Sequence, residues 1–329
     1  MGGSVSYVRG APGASGFGSR STAEEVTAGI SLHSRTAIIT GANGGLGFET
    51  TRVLASRGAH VIMACRNTKA AEDAKRLILK ENPEAQLDIF HLDLGSLASV
   101  KKFANQFLSL RLPLNILINN AGIASGTFKL SEDNIELTFA TNHIGHFLLT
   151  TLLLDNLVAT AKDSGIEGRI VVVSSMLHIL SSGELNIKHL NDSKSYLGIF
   201  AYGDSKLANI QFSKELARRL KDQGAYVTVN ALHPGPIKTR IYGDCWDWFK
   251  CTLALFSLCF KTISQIQILQ KTCWIGNPQV LTLYFLEGTW FLGYQRSRQL
   301  FSYHPMKLNT NLLQPQQRRF YGSKGYFWS

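Results

Sequence analysis

The chain has 329 residues, 45% hydrophobic and 17% charged, which excludes a disordered polymer and implies a sizeable core. Its net charge of +11 is not evenly spread: residues 266–329 carry seven Lys/Arg and one acid, so +6 sits in that tail and +5 in everything before it. No basic-aromatic module of known spacing accompanies the charge, so no nucleic-acid partner is expected. The five cysteines (Cys65, Cys245, Cys251, Cys259 and Cys273) include no C-x-x-C, which argues against a disulfide framework or zinc site and for a reducing compartment.

Residues 1–31 are rich in Gly, Ser and Ala with no acid before Glu24. They read as a flexible arm, or alternatively as a plastid transit peptide; no secretory signal is expected. From Thr36 onward, short β-branched runs alternate with amphipathic stretches. The strand candidates are 36–40, 60–64, 87–92, 115–119, 169–174 and 226–231. The helix candidates are 46–57, 68–81, 97–109, 132–160 and 203–222. Nearly continuous apolar strands separated by helices predict an α/β fold with a doubly wound parallel sheet. Helical periodicity fades near Ile266, where Gln and aromatic residues become frequent.

The first strand runs into Thr40-Gly41-Ala42-Asn43-Gly44-Gly45-Leu46-Gly47 and then a helix candidate. Gly41-x-x-x-Gly45-x-Gly47 permits a tight turn and a close backbone approach to a pyrophosphate, with the helix N-terminus offering N–H groups to the anion. The second strand ends at Arg66, where NAD-selective folds place an acid. A guanidinium there suits a 2′-phosphate and favours NADP(H); the plainer reading is a solvated charge. Tyr202 and Lys206 lie one helical turn apart, so the ammonium lowers the cost of ionising the phenol. A second Tyr303–Lys307 pair encloses Pro305 and cannot form an uninterrupted turn. Ser174 and Ser175 end a strand, where open α/β sheets hold ligands. His143 and His146 share a helix face, but no H-E-x-x-H or third ligand accompanies them, so no metal is expected. The serine elbow of hydrolases is absent at Ser175.

These motifs come together in one order, and residues 36–240 resemble the short-chain dehydrogenase/reductase superfamily with its Rossmann fold. The matches are TGANGGLG, Asp93-Leu94, Asn119-Asn120-Ala121-Gly122, the Asn142 to His146 stretch, VVVSS, YGDSK and Pro234-Gly235. The likeness is strongest to the retinol-dehydrogenase-like branch, and within it to plant Tic-type enzymes of the chloroplast inner envelope. The resemblance implies a catalytic set of Asn142, Ser175, Tyr202 and Lys206. In it Tyr202 is the proton donor in reduction, Lys206 its activator and ribose ligand, Ser175 the holder of the substrate oxygen, and Asn142 the holder of a water. It implies Gly41, Gly45 and Gly47 at the pyrophosphate, Asp93 at the adenine, Asn119 at its ribose, and Pro234, Gly235, Ile237 and Thr239 beside the nicotinamide. Asn43, Leu46, Arg66, Leu94 and Ala121 complete the implied cofactor contacts. The implied activity is hydride transfer between NADPH and a small hydrophobic carbonyl or alcohol. The alternative is an NADP(H)-binding redox-sensing partner of the chloroplast import machinery. The implied location is the inner envelope, peripherally bound, with the cytoplasm as alternative.

Residues 32–265 are expected to form the catalytic domain. Residues 236–262, with Trp246, Trp248 and Phe249 beside Lys250 and Lys261, read as a substrate lid, or as a calmodulin-like or membrane-surface segment. Their longest apolar run, Cys251 to Phe260, is about half of a bilayer span. Beyond Gln265 the family pattern stops. Residues 266–329 read as an atypical tail from a changed reading frame or alternative splice.

Overall fold

The computed structural model describes residues 16–17, 21–181 and 190–235. The strands β1 (Thr36–Thr40), β2 (His60–Cys65), β3 (Leu87–His91), β4 (Ile116–Asn119), β5 (Gly168–Val173) and β6 (Val227–Leu232) form one sheet, in the order β3-β2-β1-β4-β5-β6. Every pairing is parallel. The expected doubly wound sheet is present, and each predicted strand lies within a residue or two of its place.

Alternation along the strands explains the two cores. Successive side chains of a strand point to opposite faces. Ile39 and Met63 join Val53, Leu54 and Ile78 on one side. Ile38 and Ile62 join Phe103, Phe107, Leu149, Phe212 and Leu216 on the other. The first core is covered by α2 (Gly45–Ser56) and α3 (Thr68–Glu81), the second by α4 (Leu97–Ser109), α5 (Leu137–Ser164) and α6 (Gly198–Asp222). β1 is buried at all five positions, which is why its sequence shows no polar alternation. α5 is apolar enough to cross a bilayer by length and composition, but 67% of that window is buried within the fold; it is a core helix.

The loose arm expected for residues 1–31 needs correction at its C-terminal end. Residues 21–31 pack on the fold, and a short helix, α1 (Ala23–Val26), precedes the sheet. Its Thr22 and Glu25 form a reciprocal capping box, which satisfies amides that a four-residue helix would otherwise leave open. Ala23 and Val26 are buried in the first core. Arg57 of the α2 end donates to Thr27 Oγ1 at 3.0 Å and to Glu24 O at 2.9 Å, and Arg52 pairs with Glu24 and Glu49. Composition cannot show this anchoring, because its partners lie about 30 residues away. Residues 1–15 and 18–20 lie outside the described residues.

The anchoring has a measurable consequence. Val26→Ala is expected to lower the unfolding free energy by about 1–2 kcal/mol through the lost methyl burial and the remaining void. Urea denaturation followed by circular dichroism measures it; an unattached arm would leave the midpoint unchanged.

Candidate active site

The strand order reverses between β1 and β4, which opens a crevice at their carboxyl ends. The glycine loop fills one side of it. Gly41 has φ +67°, a region that costs L-residues with a Cβ. A Cβ at Gly47 would stand 2.2 Å from Gly41 O and 2.7 Å from Asn120 Nδ2. The first turn of α2 therefore lies directly against the end of β4, and only glycine permits it. Gly44 is the N-cap, makes no side-chain cap bond, and has nothing within 4 Å of where a Cβ would be. An uncapped helix N-terminus facing open space fits the phosphates of a dinucleotide. Asn43 and Leu46 flank it, half-buried.

The end of β2 lies against the loop, where Ala64 O accepts the Gly41 N–H at 2.9 Å. Burial pushes the Cys65 thiol up to about 11, against an opposing pull from the Ala42 and Asn43 backbone N–H groups. It is thus a packed thiol under the loop, not a nucleophile. Arg66 is exposed and makes no ion pair or hydrogen bond among the described residues. Asn67 follows and caps α3 through Ala70 N, so no acid occupies this strand end. Asp93 Oδ1 accepts the Gly95 N–H at 2.9 Å, and Leu94 is buried beside it. Asn119 is fully buried, donating from Nδ2 to Thr150 Oγ1 at 2.8 Å. Its neighbour Asn120 instead reaches the loop, donating to Thr40 O at 2.8 Å.

Another part of the site is built by α6 pressing on the end of β5. Tyr202 and Lys206 are both buried, with Lys206 Nζ 5.5 Å from the Tyr202 ring centroid. Lys206 Nζ donates to Val173 O at 2.9 Å, and Ser174 Oγ donates to Lys206 O at 2.8 Å. These reciprocal bonds join helix to strand end. Gly203 permits the close approach: a Cβ there would stand 2.9 Å from Leu177 O. Asp204 accepts from Ser181 Oγ. Between them, Ser175 caps a 3₁₀ turn, Met176–Leu180, by accepting the Leu177 N–H. Ser175 is thereby held at the strand end, half-buried, on the segment that Gly203 and Asp204 pack against.

Asn142 lies in a π turn, Ala140–Ile144, inside α5. Its Nδ2 donates to Ile123 O at 2.9 Å and Ser205 Oγ at 3.0 Å, while its Oδ1 accepts the Ile123 N–H at 2.8 Å. Its carbonyl accepts Asn209 Nδ2 at 3.1 Å and faces His146 Nδ1 at 3.0 Å. Sequence reading assigned no role to Thr40, Asn120 or Asn209. Asn209 had one available signal, its place one turn beyond Lys206 on the same helix face. Ala121 donates its N–H to Thr40 Oγ1 at 2.9 Å. Pro234 and Gly235 follow β6, half-buried. Ile237, Thr239 and the lid segment 236–262 lie outside the described residues, as do the Tyr303–Lys307 pair and the tail 266–329.

A glycine-lined helix end at the sheet's switch point and a buried Tyr-Lys pair at the end of β5 suit the chemistry of a nicotinamide-dinucleotide oxidoreductase. The chain belongs to the short-chain dehydrogenase family, whose model matches residues 35–249. It is similar to the short-chain dehydrogenase TIC 32 B, chloroplastic, of Brassica napus, at 53% identity over 236 residues, covering 71% of this chain and 74% of that protein. It is also similar to retinol dehydrogenase 12 of Mus musculus, at 41% identity over 240 residues, covering 73% and 72%. Among solved structures, an uncharacterized Mycobacterium paratuberculosis protein superposes with TM-score 0.60 at 36% identity, covering 77% of this chain and 81% of that one.

Lys206 carries the electrostatic signature of the site. Burial lowers its pKa from 10.5 to about 8. Between about pH 8 and 10.5 the unfolded chain holds a proton that the folded chain has released, so this group's contribution to stability is complete above about 10.5 and lost as pH falls through about 8. Lys206→Met is expected to remove that alkaline gain. Parallel denaturant melts of parent and variant at pH 7.5 and 10 test it; equal pH slopes would contradict the burial.

Proposed function

We propose that the protein is an NADP(H)-dependent reductase of apolar carbonyl compounds, running in the alcohol-oxidising direction when the redox balance favours it. The observation that carries this reading is the joining of Lys206 to Val173 and of Ser174 to Lys206, which holds Ser175, Tyr202 and Lys206 at one strand end. The bound nicotinamide would supply or accept the hydride. Gly41, Gly45 and Gly47 would let α2 present its first-turn amides to the pyrophosphate, with Asn43 and Leu46 at the loop rim. Asp93, Leu94, Asn119 and Ala121 would border the adenosine half, and Pro234, Gly235, Ile237 and Thr239 the nicotinamide half.

Ser175 would hold the substrate oxygen while charge develops on it, and Tyr202 would give it a proton. Lys206, a buried cation whose ring-face contact with Tyr202 is already in place, favours the phenolate left behind. Asn142 supports this pair from beneath through Ser205. Exposed Met176, Ile179, Leu197 and Phe200 adjoin Ser175 and Tyr202 in the chain, which supports an apolar substrate over a polar one.

Arg66 supports NADP(H) over NAD(H): it is exposed, unpaired among the described residues, and followed by Asn67 instead of an acid. A second reading draws on the likeness to a chloroplastic relative. In it the protein is a plastid dinucleotide-binding partner, peripherally attached at the envelope, with little turnover.

Two measurements separate these readings. Tyr202→Phe is expected to bind NADPH with the parent's affinity and to lose about 10²–10⁴-fold in kcat on an aldehyde panel, the range for removing a general acid. A parent that binds NADPH and oxidises it with no carbonyl would favour the second reading. Arg66→Glu is expected to weaken NADPH about 10-fold or more while sparing NADH, as a like charge replaces a phosphate ligand. Equal effects on the two cofactors would remove the NADP assignment.

A further inference from the structure

His146 is fully buried and is absorbed by none of the roles above. Its ring lies between the Asn142 turn of α5 and the end of β1. Nδ1 is 3.0 Å from Asn142 O, and Nε2 is 2.8 Å from Thr40 Oγ1. A carbonyl oxygen only accepts, so Nδ1 carries the ring proton. Burial pushes the imidazole down to about 3, so the ring is neutral and Nε2 presents a lone pair. The Thr40 hydroxyl must therefore donate to Nε2, its alternative acceptor, Ile118 O, being more distant at 3.4 Å. With the hydroxyl proton so placed, both oxygen lone pairs of Thr40 are free to accept. They meet the Asn120 and Ala121 N–H groups, each at 2.9 Å.

The consequence runs in both directions from the imidazole. On one side, Asn120 and Ala121 are the residues against which the glycine loop packs: a Cβ on Gly41 would stand 3.1 Å from Ala121 Cβ. On the other, the Asn142 carbonyl receives Asn209 as well as His146, and the Asn142 side chain reaches Ser205, the neighbour of Lys206. His143, one turn back, holds Asn209 by its Oδ1 at 3.0 Å.

We propose that His146 is a positioning residue which, as a neutral ring protonated on Nδ1, couples the Asn142 turn under the Tyr-Lys pair to the Thr40-held edge of the dinucleotide cradle. The inference rests on the dinucleotide-dependent reading above for its kinetic consequences, but not for the state of the ring. Two near-isosteric variants divide the two bonds. His146→Asn keeps a donor near the Nδ1 position and loses the acceptor for Thr40. His146→Gln reaches Thr40 with an acceptor and loses the donor to Asn142.

The experiment uses the full chain with NADPH as probe. Binding is read by fluorescence titration, and turnover by NADPH oxidation with hexanal through decanal. His146→Asn is expected to raise the NADPH Kd roughly tenfold, the worth of about one hydrogen bond. Thr40→Val should do the same, and the double variant should add little further. Thr40→Ser, which keeps the hydroxyl, should restore parental binding. His146→Gln is expected to keep Kd within about twofold while kcat falls roughly tenfold, because its loss falls on the Asn142 side. Imidazole ¹⁵N shifts of histidine-labelled protein, with the His146 signals assigned by their absence in His146→Gln, should show Nδ1 protonated and Nε2 bare from pH 8 to pH 5. The opposite tautomer, or a ring that titrates in that range, overturns the proposal whatever the cofactor result. So do variants that all raise Kd and lower kcat alike, in step with a falling melting temperature, as packing loss alone would. Failure of the parent itself to bind NADPH sinks the functional reading, while the tautomer measurement still decides the ring.

Discussion

A buried lysine needs a reason to stay buried, and the architecture of this site is organised by that need. An ammonium sealed from water is costly unless its hydrogens find acceptors. Lys206 finds one in the Val173 carbonyl at the very end of β5, and its own carbonyl is held in return by Ser174. That exchange holds α6 against the end of β5, and position 203 has no room for a side chain beside Leu177 O. Tyr202 then has no freedom to drift, because its helix is fixed by the residue one turn on. Ser175 inherits the same constraint from the strand side. The desolvation that makes the amine costly to keep charged also makes its field strong at the phenol, since little water screens it.

The rest of the crevice shows how polar groups are used when water is excluded. Asn142, Asn209, Ser205, His143 and His146 are buried together, and each makes at least one hydrogen bond to another of the group or to backbone. His143 lies among the rings of Phe139, Phe147 and Phe212, with centroid separations of 5.2, 6.3 and 6.3 Å, and burial lowers its pKa to about 4. Uncharged imidazoles suit such a place: they donate and accept along fixed directions without the cost of a buried charge. A second polar anchor lies farther out, where the Tyr196 hydroxyl stands 3.1 Å from both Ser125 O and Glu136 Oε1 and has one proton to share between these two acceptors. There Glu136 also caps the start of α5, and burial and the Glu136 charge raise the phenol's pKa. The loop after β4 that holds Ser125 and the approach to α6 are tied together by it.

Much of this was legible in one dimension. The six strands and the five long helices follow the apolar periodicity, and the glycine turn after β1 and the Tyr202–Lys206 helix turn stand where the spacing puts them. What escaped was local order created by distant partners. Nothing in the composition of residues 21–31 marks the α1 anchor, because Arg52 and Arg57 supply it from α2. Asn119 drew attention as a motif residue, yet its side chain serves α5 through Thr150, and Asn120 meets the glycine loop.

Periodicity and motif spacing determined the parallel sheet, the glycine-lined helix end, and the phenol–amine pair, because each depends on residues close in sequence and on repeat lengths that the backbone imposes. The choice of strand order, the burial that lowers the Lys206 amine, and the ring state of His146 were decided only in three dimensions. They depend on which groups stand within hydrogen-bonding distance after chain segments tens of residues apart have packed and driven out water. A sequence lists donors and acceptors, and only the packed chain pairs them.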